Sequence, residues 1–140
     1  MLTFRTMLIT MLAIALSACA AGPSGQTFDS PIGEWKTRTT GPNGGASLAL
    51  AITDRGEGTY EYLDGTLYFD SIDDETRTWE GIWTESYTES WARGRECNTS
   101  KNGRDAWGAV QFQFNETYNA FEGSWDYCGQ GDSWQWNGYR

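Results

Sequence analysis

The chain has 140 residues, of which 21% are charged, a formal net charge of −9 and no histidine. Such an acidic protein repels the phosphate backbone, which excludes a nucleic-acid function. The absence of histidine excludes Ser-His and Cys-His catalysis and the His-containing zinc sites. No local motif singles out any of the 19 Asp and Glu residues. We therefore expect a non-enzymatic protein without cofactor or metal, with a glycosidase-type carboxylate pair as the catalytic alternative.

Residues 1–18 have the composition of an export signal. Arg5 supplies a short positive segment, residues 7–16 form an apolar run, and small residues follow. The apolar run is too short to cross a bilayer as a helix. We therefore predict that residues 1–18 are a signal peptide that is removed on export.

The signal ends in Leu16-Ser17-Ala18-Cys19. This motif resembles the lipobox of bacterial lipoproteins, in which the chain is cut before the cysteine and its sulfur receives a diacylglycerol. The resemblance implies lipidation of Cys19 with palmitate-type acyl chains, and two or three such chains hold a protein stably at a membrane. Ala20, in place of Asp, implies transfer to the bacterial outer membrane, facing the periplasm or the cell surface. The alternative is an ordinary signal peptide with an incidental cysteine.

Two segments follow the signal. Residues 19–32 are mostly small, polar and turn-forming, which predicts a flexible tether between the lipid and the folded part. Residues 33–140 are long enough for a single domain.

From Gly33 onward, apolar side chains recur at every second position, as in strands with one buried and one solvated face. Leu48, Leu50 and Ile52 give a clear example. Clusters of Gly, Asn and Asp separate these segments. The pattern predicts eight strands, near residues 33–39, 46–53, 58–62, 66–72, 76–85, 106–115, 120–127 and 133–139.

Eight short consecutive strands predict an all-β fold, a small antiparallel up-and-down β-barrel that leaves no exposed edge. Gly33-Glu34-Trp35 on the first strand and the closing Trp136-Asn137-Gly138-Tyr139-Arg140 resemble small barrel proteins of the avidin and lipocalin superfamily. The resemblance implies the fold alone, because the biotin-contacting residues of avidins do not map onto this sequence.

Cys97 and Cys128 are the cysteines that remain once Cys19 is lipidated, and an exported protein meets an oxidising compartment. In an up-and-down barrel the connections after strands 5 and 7 lie at the same end, so these two cysteines could form a disulfide. Closing a loop of about thirty residues would stabilise the fold by roughly 3–4 kcal/mol. The tether enters from the opposite end, so the disulfide-bearing rim should face away from the membrane.

The chain has eight tryptophans. Those on predicted inward faces, such as Trp83 and Trp125, favour a barrel interior that is filled by rings. Trp91, Trp107 and Trp134 lie near the disulfide-bearing rim, where we expect them to be exposed and to be candidates for stacking on a ligand. An acidic turn offers calcium as an alternative to simple turn formation. Its carboxylates are Asp70, Asp73, Asp74 and Glu75.

These observations favour a membrane-anchored, non-catalytic envelope lipoprotein that presents its membrane-distal rim to a small molecule, a glycan or a protein. Two alternatives remain open. One is a periplasmic protease inhibitor of the small-barrel type, and the other is a purely structural envelope component.

Overall fold

The computed structural model describes residues 25–86 and 96–140. The predicted signal peptide, the predicted lipidation site Cys19 and the candidate ligand residue Trp91 lie outside the described residues. Within the two described ranges the chain is all-β, and it contains no helix long and apolar enough to cross a membrane.

Eight strands follow one another along the chain, each pairing antiparallel with the next, and the last pairs with the first to close a barrel. The predicted up-and-down barrel is therefore confirmed, with every strand end within two residues of its predicted position. The strands are β1 (Gly33–Thr39), β2 (Ala46–Asp54), β3 (Glu57–Tyr60), β4 (Gly65–Asp73), β5 (Thr78–Glu85), β6 (Ala106–Phe114), β7 (Ala120–Trp125) and β8 (Trp134–Tyr139).

Aromatic rings fill the middle of the barrel and the end near the start of β1. Phe112 is fully buried at the centre, stacks on Phe121 at 4.2 Å between ring centroids, and meets Phe69 and Trp136 at 5.4 Å each. Burying one such ring contributes about 1.5–3 kcal/mol to folding. The aromatic core, together with a few aliphatic side chains such as Leu50, therefore holds the closed sheet together.

Glycines inside the strands make room for this packing. A Cβ atom on Gly81 of β5 would overlap the carbonyl oxygen of Tyr68, next to the irregular register that β4 adopts between Phe69 and Ser71. A Cβ on Gly123 of β7 would lie 2.6 Å from the ring of Phe112. The aromatic-Gly-aromatic spacing of these strands therefore reflects close packing.

One end of the barrel, here called the closed end, is sealed by Arg140. Its guanidinium carbon lies 3.7 Å from the ring centroid of Phe28 and 4.5 Å from that of Trp35. Its nitrogens donate to the carbonyl oxygens of Tyr118 and Ile32, both at 2.7 Å, and to that of Ser30. The last residue of the chain thus fastens the segment that precedes β1.

The same segment is held by further hydrogen bonds. The backbone N–H of Phe28 donates to the oxygen of Thr117 at 2.9 Å, and Asn119 Nδ2 donates to the oxygen of Gln26 at 2.9 Å. Residues 26–31 were predicted to belong to a flexible tether. They instead dock on the closed end, because their backbone groups find partners in the β6–β7 connection and in Arg140.

The opposite end, here called the open end, carries the connections after β1, β3, β5 and β7. The predicted disulfide is confirmed: Cys97 and Cys128 are bonded, with 5.4 Å between their Cα atoms and a sequence separation of 31. It joins the β5–β6 and β7–β8 connections on the rim opposite to the docked segment 26–31.

Candidate ligand-binding site

A cavity of about 530 Å³ opens at this end of the barrel. Small-molecule sites in proteins typically enclose about 300–1,000 Å³, so the volume suits such a ligand. Its aromatic lining residues are Tyr60, Tyr62, Trp83, Trp125, Tyr127 and Trp136. Its longer polar lining residues are Asn43, Glu85, Glu96 and Gln130.

The expectation of a filled interior holds for the closed end and the middle of the barrel but not for the open end. The β1–β2 connection, residues 40–45, lines the cavity and includes Gly41, Gly44 and Gly45. This connection brings no large apolar side chain that could fill the space, and the next inward position, Ala46, carries only a methyl group. The aromatic rings around this space therefore face a cavity.

Part of the lining is a cluster of rings in edge-to-face contact. Trp83 lies 5.1 Å from Tyr127 and 5.8 Å from Trp125, and Trp125 lies 5.2 Å from Tyr127, between ring centroids. Trp83 Nε1 donates to the carbonyl oxygen of Asp126 at 2.9 Å, and Trp125 Nε1 donates to that of Thr40 at 2.9 Å. Because backbone oxygens already take both N–H groups, these two indoles offer the cavity only apolar ring surface.

A buried polar pair lies deeper in the cavity. The hydroxyl of Tyr60 donates to Glu85 Oε1 at 2.9 Å, and the two side chains are 6% and 8% exposed. Burial raises the pKa of the Tyr60 phenol well above its usual value, and the nearby Glu85 carboxylate raises it further. Tyr60 therefore stays protonated at physiological pH and keeps its hydrogen bond to Glu85.

Trp136 lines the cavity next to this pair and is only 3% exposed. Its ring meets Tyr60 at 5.2 Å and Phe112 at 5.4 Å, both edge to face. Its Nε1–H has no hydrogen-bond partner, the one such buried side-chain group found among the described residues. Leaving a buried donor unpaired costs about 1–3 kcal/mol, so a partner supplied by a ligand would recover that energy.

The described lining carries two carboxylates, Glu85 and Glu96, and no lysine or arginine. The chain as a whole is also strongly acidic. An anionic ligand would approach against this potential. The net charge of the chain therefore favours uncharged ligands over anions.

Of the tryptophans chosen from the sequence, the two that the structure describes, Trp107 and Trp134, do not line the cavity. Trp107, expected to be exposed, is only 9% exposed; its Nε1 donates to the oxygen of Thr99 at 2.7 Å, and its ring lies under Gly129 beside the disulfide. Trp134 is partly buried and packs on Trp125 at 4.9 Å, outside the cavity lining. The expected exposure of Trp107 is wrong because the β7–β8 connection folds over the start of β6.

Sequence reasoning missed the residues that matter most in the cavity. Glu85 follows Trp79, Gly81 and Trp83 at alternate positions of β5, so the period of two places its carboxylate on the inward face. A charged side chain on an inward face is a recognisable signal of a site. Trp136 shares the inward face of β8 with the buried Gly138 by the same alternation.

The carboxylates of the acidic turn between β4 and β5 form hydrogen bonds and an ion pair that stabilise the turn. Asp73 Oδ1 accepts from the backbone N–H groups of Glu75 and Thr76 at 2.9 and 3.1 Å, and Asp74 forms an ion pair with Arg55 at 2.8 Å. Hydrogen bonds from these partners lower the pKa of both aspartates. In the part of the chain that the structure describes, no cluster of acidic side chains or cysteines could hold a metal ion.

No family model, no curated protein and no solved structure matches this chain.

Proposed function

We propose that the protein is a bacterial outer-membrane lipoprotein, anchored through Cys19, whose barrel is a non-catalytic module that binds a small molecule in the open-end cavity. The observation that carries the binding proposal is the contrast between the two ends. Arg140 and the docked segment 26–31 seal one end. The other end holds a cavity of about 530 Å³ lined by aromatic rings.

The lining supports binding rather than catalysis. A general base needs a pKa near the working pH. The phenol of Tyr60, with its pKa raised well above the usual value, cannot act as one. The same phenol donates a hydrogen bond to one oxygen of Glu85, the more buried of the two carboxylates. The indole N–H groups of Trp83 and Trp125 are committed to backbone oxygens and are equally inert.

The proposed anchor would point the cavity outward. The few residues between Cys19 and Gln26 span at most about 25 Å, and Gln26 contacts the closed end. A lipid on Cys19 would therefore hold the closed end towards the membrane. The docking of residues 26–31 counts against the protease-inhibitor alternative, because that function would need a free N-terminal segment.

The binding proposal is tested with two variants on opposite faces of β2. Ala46 lines the cavity, so Ala46→Trp places a ring in its mouth, whereas the outward and exposed Ala49 accepts the same substitution without reaching it. The protein is the mature chain from residue 19 with Cys19→Ser, so that neither lipid nor detergent competes for the ligand. Thermal unfolding is followed in the presence of a panel of metabolites, glycan fragments and small ring compounds.

We expect at least one compound to raise the Tm of the parent and of Ala49→Trp but not that of Ala46→Trp. Equal stabilisation of all three proteins, or stabilisation of none, would contradict binding in the cavity. The second result would favour a purely structural role.

The anchor is tested separately. Mass spectrometry of the mature N-terminus should find acyl chains on Cys19, and Cys19→Ala should release the protein from the membrane fraction. A wild-type chain without acyl chains would overturn the lipoprotein proposal and leave the cavity unaffected.

A further inference from the structure

Trp136 lines the cavity and carries a buried polar atom, its indole nitrogen. Trp136 is 3% exposed, whereas Trp125, in the same lining, is partly exposed nearer the rim. Within residues 25–86 and 96–140, Trp136 Nε1–H is the buried side-chain group for which the protein offers no acceptor. Because Trp136 lines the cavity, a ligand that packs against its indole is the partner available to this donor.

We propose that Trp136 Nε1–H is the recognition group of the cavity, donating a hydrogen bond to an uncharged, planar ring compound that carries a carbonyl oxygen or ring nitrogen as acceptor. This inference rests on the proposed binding function and names its ligand class and its recognition residue.

The preference for a planar ligand follows from the rings that form the cavity walls. Trp83, Trp125 and Tyr127 hold one another edge to face at 5.1–5.8 Å and present apolar ring surface. Flat rings stack on or pack edge-on against such surfaces and bury their area efficiently. A sugar, with many hydroxyl groups, would need several partners at depth, whereas the indole N–H groups of Trp83 and Trp125 already bind backbone oxygens.

The preference for an uncharged ligand follows from the side chains next to Trp136. The ring of Tyr60 lies 5.2 Å from that of Trp136, and its hydroxyl is hydrogen-bonded to the carboxylate of Glu85. An anionic acceptor on Trp136 would therefore lie close to the Glu85 carboxylate, in a chain whose formal net charge is −9. A neutral acceptor gains the same hydrogen bond without that repulsion.

The proposal is tested with probes of one shape. Naphthalene, quinoline and isoquinoline share the same fused rings, but only the last two carry an acceptor nitrogen, and 2-naphthoate adds a negative charge. Their affinities are measured by ¹H–¹⁵N NMR titration of the mature chain from residue 19 with Cys19→Ser and ¹⁵N-labelled tryptophan. We expect quinoline or isoquinoline to bind roughly tenfold or more tightly than naphthalene, since a buried donor gains its partner. We expect 2-naphthoate to bind no better than naphthalene.

Two variants identify the donor. Trp136→Phe removes the unpaired N–H and should abolish the preference for the nitrogen-bearing probe over naphthalene. Trp125→Phe is the matched control: it makes the same substitution in the same lining but removes an N–H that already binds Thr40. The preference for quinoline or isoquinoline should survive in Trp125→Phe.

Should Trp136→Phe fail to fold, the assigned indole signal of Trp136 in the parent chain decides the question. It should move downfield on addition of quinoline or isoquinoline and more than the other indole signals, and its failure to do so would overturn the inference. Equal affinity for naphthalene and the two nitrogen-bearing probes, or loss of the preference in Trp125→Phe as well, would also overturn it. Either result would leave cavity binding standing, because Ala46→Trp tests that proposal independently.

Discussion

Removing the side chain of Arg140 should open the closed end of the barrel. In the structure this side chain reaches three backbone oxygens, those of Ser30, Ile32 and Tyr118, and covers the rings of Phe28 and Trp35. Alanine would end all of these interactions at once. It would also uncover the docking face of the segment that precedes β1.

The cost can be worked from these contacts. A hydrogen bond to a charged group contributes about 1.5–3 kcal/mol, and a cation–ring contact about 0.5–1 kcal/mol where it is exposed to solvent. The contributions overlap, and water can reach the released carbonyl groups in the variant, so we expect Arg140→Ala to lower the free energy of unfolding by about 3 kcal/mol. For a domain of roughly 100 residues, that loss lowers the Tm by about 15 °C.

Thermal unfolding followed by circular dichroism measures this change, and hydrogen exchange locates it. The amide of Phe28, bonded to the oxygen of Thr117, should exchange faster in Arg140→Ala than in the parent. Arg140→Lys keeps the charge but loses the planar fork, so it should recover only a minor part of the stability. Arg38→Ala is the control, because Arg38 is exposed on the outer face of β1.

A Tm of Arg140→Ala within about 3 °C of the parent would refute this reasoning, since it would correspond to less than about 1 kcal/mol. An equal loss in Arg38→Ala would refute it as well, because removal of any positive charge from this acidic chain would then explain the effect.

Three other outcomes follow from the packing and the buried groups. Gly81→Ala would place a methyl group against the carbonyl oxygen of Tyr68. We expect it to lower the free energy of unfolding, measured with denaturant, by about 3 kcal/mol, and a loss below about 1 kcal/mol would contradict the close approach. Reduction of Cys97–Cys128, which closes a loop of 31 positions, should cost roughly 3–4 kcal/mol by the same assay, and an unchanged denaturation midpoint would contradict a stabilising disulfide. Burial raises the pKa of Tyr60, so its contribution to stability is complete below the usual tyrosine pKa and is lost as the pH rises through the raised value. Ultraviolet titration should find one phenol that ionises only after the others or on unfolding, and Tyr60→Phe should remove that step; a parent in which all phenols ionise together would be at odds with the buried hydrogen bond.

Local patterns determined most of the fold. The alternation of Leu48, Leu50 and Ile52 with small or polar residues defines a strand without reference to the rest of the chain, and turn residues mark its ends. The disulfide followed from topology, because the connections after β5 and β7 of an up-and-down barrel must share an end. Both kinds of inference use short-range sequence information or simple connectivity, and both were confirmed.

The features of the site that the sequence did not predict depend on contacts between segments that are far apart in the chain. Trp107 is buried because the β7–β8 connection, with Gly129, folds over it, and alternation along β6 cannot reveal such a cover. The segment that precedes β1 docks because the last residue, Arg140, reaches back across the chain to Ser30 and Ile32. The cavity likewise depends on the path of the β1–β2 connection, which neither periodicity nor composition specifies.

The most direct test of ligand binding in the open-end cavity follows the indole signal of Trp136 during titration with quinoline and with isoquinoline. The titrations use three proteins: the parent mature chain with Cys19→Ser, its Ala46→Trp variant and its Ala49→Trp variant. A ligand in the open-end cavity predicts a saturable downfield shift with at least one probe in the parent and in Ala49→Trp, and none in Ala46→Trp. A shift of equal size in all three, or no shift in the parent with either probe, would contradict the account.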